Sequence, residues 1–173
     1  MKILYFDCFA GAAGDMILGA LLDAGLPIDE LKRALGSLAV EGWNVSVDRV
    51  LKTGVSATKF RVHEHAHVHS HAQSHHHHDH RDDGHHHAPH HSLKEIEAAI
   101  GRSALSNAGK SRAVAMFRRL GEAEAAIHGT TLEKVHLHEV GALDSIIDIV
   151  GAVFALEWFN ADRSIAAKMC FRW

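Results

Sequence analysis

At 173 residues, with 18 basic and 21 acidic side chains, the chain carries a formal net charge of −3. That excludes a dedicated nucleic-acid-binding surface and leaves room for one good-sized core. Two cysteines, Cys8 and Cys170, are too few for a disulfide framework. No apolar run reaches membrane-spanning length without a charge, and Asp7 and Asp15 break any signal-peptide core. A soluble, cytoplasmic protein is expected.

In chain order, residues 2–6 (KILYF) read as a short buried strand ending at Asp7. A small-residue loop containing Gly11 and Gly14 follows, then a helix over residues 16–24 with Gly25 as its cap and Pro27 beyond. A second helix over 28–38 presents Ile28, Leu31, Leu35 and Leu38 on one face. Trp43, Val45 and Val47 alternate with polar residues, Lys52-Thr53-Gly54 is a turn, and Phe60 and Val62 continue the alternation as the return strand of a hairpin. Ser92 with Glu95 makes a capping box for a helix to Ile100. The longest helix spans 107–128, packing on Val114, Phe117, Leu120, Ala123 and Ile127, and Gly129 ends it. A short segment over 135–140 leads into a last helix over 143–158. There are no internal repeats. The order is that of a mixed α/β or α+β layer, with a ferredoxin-like sheet among the arrangements it allows.

The return strand runs straight into HEHAHVHSHAQSHHHHDHRDDGHHHAPHH, residues 63–91, which holds fifteen of the 18 histidines. His63, His65, His67, His69 and His71 alternate, so an extended chain puts them on one face. His75, His76, His77, His78, His80, His85, His86, His87, His90 and His91 follow without a period. Neutral imidazole ligates nickel, zinc, copper and iron, and the run is internal, longer than a purification tag and interleaved with carboxylates. It is expected to be a metal-binding insertion, disordered until metal binds. The alternative is a solvated linker that happens to be rich in histidine. Composition alone does not choose the metal.

Two further motifs carry chemistry. FDCFAGAAGDM, residues 6–16, places Asp7 at a strand end, then Gly11, Gly14 and Asp15 at a helix start, a geometry that suits an anion or nucleotide. It matches neither common phosphate-loop pattern and has no lysine, and Asp15 as a simple helix cap is the competing reading. Asp7 is better placed for a divalent cation than for phosphate itself. HLHEVGALDSIIDIVG, residues 136–151, alternates His136 and His138, adds Glu139, and sets Asp144 and Asp148 four apart on one face of an otherwise apolar helix. Two carboxylates at that spacing repel when desolvated, so a metal, an arginine or a water-filled cleft should compensate them.

Taken together, FDCFAGAAGDMILGAL, the central histidine insertion, AEAAIHG and VHLHEVGALDSIIDIVGA resemble the LarC family, the nickel insertion proteins of the lactate racemase maturation system, over about residues 1–162. The resemblance implies insertion of nickel into a dithiolated pyridinium mononucleotide to give the nickel pincer cofactor. It also implies CTP with Mn²⁺ or Mg²⁺ as the activating nucleotide, and nucleotide chemistry associated with a C-terminal domain. On this reading residues 1–163 are the N-terminal component, and residues 164–173 (SIAAKMCFRW) depart from the strand expected there. That departure suits an unshifted product of a frameshifted gene, a damaged gene or a truncation. A separate C-terminal companion domain or chain, and self-association, are the partners expected.

The enzymatic reading gathers nickel on His63 and the histidines after it, and passes it toward Asp7, Asp15, His136, His138, Glu139, Asp144 and Asp148. Glu139 or His138 takes the ring proton, and the carboxylates hold the nucleotide's cation. A storage protein or metallochaperone, using only the histidine run, is the second reading. A metal-dependent phosphohydrolase built on Asp7, Asp15, Asp144 and Asp148 is the third.

Overall fold

The computed structural model describes residues 1–8, 11–38, 40, 42–64, 92–135, 137 and 143–167. The chain begins with β1 (Ile3–Phe6), α1 (Gly14–Asp23) and α2 (Ile28–Gly36), continues through the hairpin β2 (Trp43–Lys52) and β3 (Val55–Glu64), then α3 (Leu93–Arg102), α4 (Asn107–His128), α5 (Leu143–Phe159) and β4 (Arg163–Ala166). Thr53 and Gly54 both take positive φ, 49° and 83°, which matches the twist of a two-residue hairpin turn. Val45 and Phe60 are buried on the hairpin's inner face.

Helix α1 lies along β3. A Cβ at Gly19 would stand 2.4 Å from the Thr58 carbonyl oxygen, so only glycine permits the approach. At the helix's far end the Asp23 carboxylate accepts from the Thr58 backbone N–H at 2.9 Å and the Thr58 hydroxyl at 2.6 Å, and pairs with Arg49. Helix α5 is the centre of the core: it packs against α1, α2, α4 and β3. Its Leu143, Ile146, Ile147, Val150, Gly151, Val153 and Ala155 are all buried. Leu18 reaches within 3.1 Å of where a Gly151 Cβ would lie, which closes the α1–α5 contact.

The mixed α/β class is as read from the sequence, with differences in detail. Among the described residues the strands form two separate two-stranded sheets, β1 with β4 in parallel and β2 with β3 antiparallel, not one ferredoxin-like layer. The strand read as buried has one covered face: Leu4 and Phe6 pack on the core, while Ile3 and Tyr5 are 42% and 64% exposed. Residues 164–173 were expected to leave strand conformation, yet Arg163–Ala166 pairs with β1 in register from Ile3 to Phe6. Long-range hydrogen bonds set that strand, Asp162 N–H to the Lys2 carbonyl and Ala167 N–H to the Phe6 carbonyl, both 2.8 Å. Helix α4 buries Gly109, Ala113, Phe117, Gly121 and Ala125, whereas Ala123 is exposed and Leu120 and Ile127 are 36% and 78% exposed. Close approach through small side chains outweighs bulk hydrophobicity there.

The capping box is present: Ser92 N–H donates to Glu95 at 2.7 Å, and Glu95 N–H donates to the Ser92 hydroxyl at 3.4 Å. Gly129 ends α4 at φ 61°. No helix among the described residues is long and apolar enough to cross a membrane. Residues 65–91, holding the histidine run after His63, lie outside the described residues.

Candidate functional site

The start of α1 has no side-chain cap of its own; Ala13 precedes it in extended conformation, φ −84° and ψ 163°. A helix start leaves free N–H donors and positive potential, and α5 supplies the answering group. The Asp148 carboxylate accepts from the Asp15 backbone N–H. It lies so close that a Cβ at Gly14 would stand 2.4 Å from its Oδ2. Gly14 is therefore required by contact with Asp148.

Around this contact lies an open cleft of about 420 Å³. It is lined by Ala13 just before α1, Asp15 from α1, Asp144 and Asp148 from α5, and Lys59, Phe60, Arg61, Val62 and His63 from β3. Asp15 and Asp144 each use Oδ1 to accept the next residue's N–H, Met16 at 2.8 Å and Ser145 at 2.7 Å. His63 places Nε2 2.7 Å from the Ser46 hydroxyl on the neighbouring strand. Arg61 pairs with Asp48.

Asp148 is the electrostatic focus. Burial is the main cause that pushes its pKa up to about 6, with Asp15 and then Asp144 adding like-charge repulsion, against the opposing hydrogen bond from the Asp15 N–H. Its Oδ1 is buried without a hydrogen-bond partner among the described residues. A buried carboxylate oxygen in that state suits a proton or a cation. No group of three or more His, Cys, Asp or Glu side chains among the described residues is arranged to hold a metal ion. Carboxylate oxygens are donors of the kind that suits a hard cation.

Of the residues singled out from the sequence, the structure brings Asp15, Asp144, Asp148 and His63 to one cleft and sets Gly14 against Asp148. Asp7 is exposed at the end of β1 and does not line it. Nor does Gly11, whose φ is 86° and whose N–H donates to the Cys8 carbonyl at 3.0 Å. His136, His138, Glu139 and the histidines of 65–91 lie outside the described residues. Lys59 and Arg61 were missed. They alternate with His63 along the return strand, a period-two signal that was legible but overshadowed by the histidines.

The chain matches the family described as "Nickel insertion protein" over residues 4–171, beyond the residue 162 at which the resemblance was read to stop. It is 45% identical over 98% of its length to a pyridinium-3,5-bisthiocarboxylic acid mononucleotide nickel insertion protein of Desulfitobacterium hafniense, covering 37% of that relative. It is 44% identical, over 98% of this chain and 39% of the relative, to the protein of the same description in Geobacillus kaustophilus. A putative nickel insertion protein of Geobacter metallireducens is 40% identical, again over 98% of this chain and 39% of the relative. The chain thus spans less than two-fifths of the length of these relatives. No solved structure matches it.

Proposed function

This chain belongs to the nickel insertion protein family, and we propose that it acts as the nickel-handling N-terminal component in metallating a dithiolated pyridinium mononucleotide. The observation that carries the reading is topological. Strand β3, which leads directly into the histidine run, ends at the cleft that gathers Asp15, Asp144 and Asp148.

In this reading residues 1–163 form the working domain and 63–91 its metal-gathering insertion. Nickel collected on the imidazoles passes through His63 to the cleft. The substrate's sulfurs ligate it, and a nickel–carbon bond then forms as the ring C–H gives up its proton and leaves its electron pair to the metal. Glu139 or His138 accepts that proton, provided it stands within hydrogen-bond reach. Asp15, Asp144 and Asp148 hold the Mn²⁺ or Mg²⁺ of CTP, since carboxylates suit hard cations better than they suit nickel. A companion domain supplies the nucleotide chemistry, the activity falls in the lyase class, and the setting is cytoplasmic.

The test is mass spectrometry of the thiolated mononucleotide after incubation with this chain, nickel, CTP and Mn²⁺. A nickel-bearing product, formed by this chain alone or on adding the companion domain, is the expected result. Absence of product in both cases, with nickel still bound, would replace this reading with a storage protein or metallochaperone.

A further inference from the structure

The two sheets differ in what they tolerate. An antiparallel hairpin such as β2–β3 can keep one face in water, whereas wholly parallel sheets occur almost only where both faces are covered. The β1–β4 pair is parallel, and among the described residues no third strand joins it. Leu4 and Phe6 turn one of its faces to the core. On the other face the register sets Tyr5 beside Ile165 and Ile3 beside Arg163. Ile3 and Tyr5 are exposed there and Ile165 is half-buried. A strand built to keep one face in water alternates apolar with polar residues. Strand β1 reads ILYF, apolar on both faces, as parallel strands covered on both sides do.

We propose that the outer face of β1 and β4, centred on Ile3, Tyr5 and Ile165, is the surface on which the companion domain docks. This rests on the reading that such a domain works with this chain. The relatives hold the material for it: the chain spans 37% of the Desulfitobacterium hafniense protein and 39% of the Geobacillus kaustophilus protein, so well over half of each lies outside the match. Position favours the same occupant. Strand β4 (Arg163–Ala166) lies at the far end of the matched stretch, residues 4–171, so a relative that continues past that stretch leaves from this sheet. Size decides against a second copy. Three side chains make too small a patch to hold two free chains together, since stable contacts of that kind bury about 1,200–2,000 Å². Within one longer chain, a domain contact of about 600 Å² suffices, because the covalent link keeps the two surfaces at high effective concentration.

The experiment is hydroxyl-radical footprinting, read by mass spectrometry, of this chain and of a chimera that continues, where the match ends, with the rest of the Desulfitobacterium hafniense relative. Tyr5 is the only tyrosine of the chain, so its oxidation reports on this face. Oxidation of Tyr5 is expected to be at least about tenfold slower in the chimera. Ile3→Glu should return the chimera to the rate of the chain alone carrying the same substitution. Ile127→Glu, at an exposed apolar site on α4, should leave Tyr5 protected. Circular dichroism checks that each variant is folded. Equal oxidation of Tyr5 in both proteins, with protection at another surface of this chain, would overturn the assignment and leave the companion domain standing. Protection nowhere on this chain would remove the assignment together with the reading beneath it. Slow oxidation of Tyr5 already in the chain alone, quickening on dilution, would give the face to a second copy instead.

Discussion

Asp148 sits where its ionised form is disfavoured, half-buried between Asp15 and Asp144 with one oxygen unpartnered. Its folded-state pKa of about 6 lies above the ordinary 3.8, so the native state binds the proton more tightly than the unfolded chain does. The associated stability is fully present below pH 3.8 and is lost as pH rises through about 6. Asp148→Asn keeps an acceptor for the Asp15 N–H and removes the charge. It should therefore raise thermal stability at pH 7 by about 1–2 kcal/mol, discounted for solvent screening. The gain should vanish in titrations below about pH 4, and nickel insertion should be lost. A variant less stable than wild type at pH 7 would make the carboxylate a structural cap. The i, i+4 pair Asp144 and Asp148 was legible in the sequence because helical spacing is local. Asp15 was grouped with them from its motif, but its contact with Asp148 was not legible, because that depends on α1 docking against a helix more than a hundred residues away.

At the scale of elements, glycines separate contact from punctuation. Gly19 lies against the Thr58 carbonyl, and neither helix nor strand backbone can yield cheaply; Gly19→Ala should cost about 1–3 kcal/mol in chemical denaturation. Gly101, in α3, has nothing within 4 Å of its would-be Cβ, so Gly101→Ala should instead stabilise by about 0.5–1 kcal/mol through helix propensity alone. Equal effects from the two would mean that α1 does not rest on β3 as described. Elements with local signals were readable: the Ser92–Glu95 capping box, the Thr53-Gly54 turn and the Gly129 helix end each encode their own geometry. Strand β4 was not readable, because Arg163–Ala166 has weak strand character and is ordered by its partner β1. The α4 face was misread for a related reason: Leu120 and Ile127 advertise burial, but α4 buries its small residues instead, and Gly109 lies against Glu157 of α5.

For the whole molecule, the decisive question is whether the histidine run belongs to the chemistry or only to supply. The core is built from α5 and the elements around it, and the hairpin is anchored to α1 at Thr58, away from the end where the run begins. Replacing residues 65–91 with a short glycine–serine linker should therefore leave the cooperative unfolding transition in place. Nickel bound at equilibrium, read by metal analysis, should fall from several ions per chain to about one or none, since that linker removes fourteen imidazoles and keeps His63. In the presence of the companion domain, product formation should then depend steeply on free nickel and approach the wild-type rate when nickel is saturating. That pattern separates a reservoir, whose absence is made good by concentration, from a ligand of the reacting metal, whose absence is not. If saturating nickel fails to restore turnover in the folded variant, imidazoles beyond His63 must reach the cleft themselves, and the carboxylates of α1 and α5 would share the metal with them.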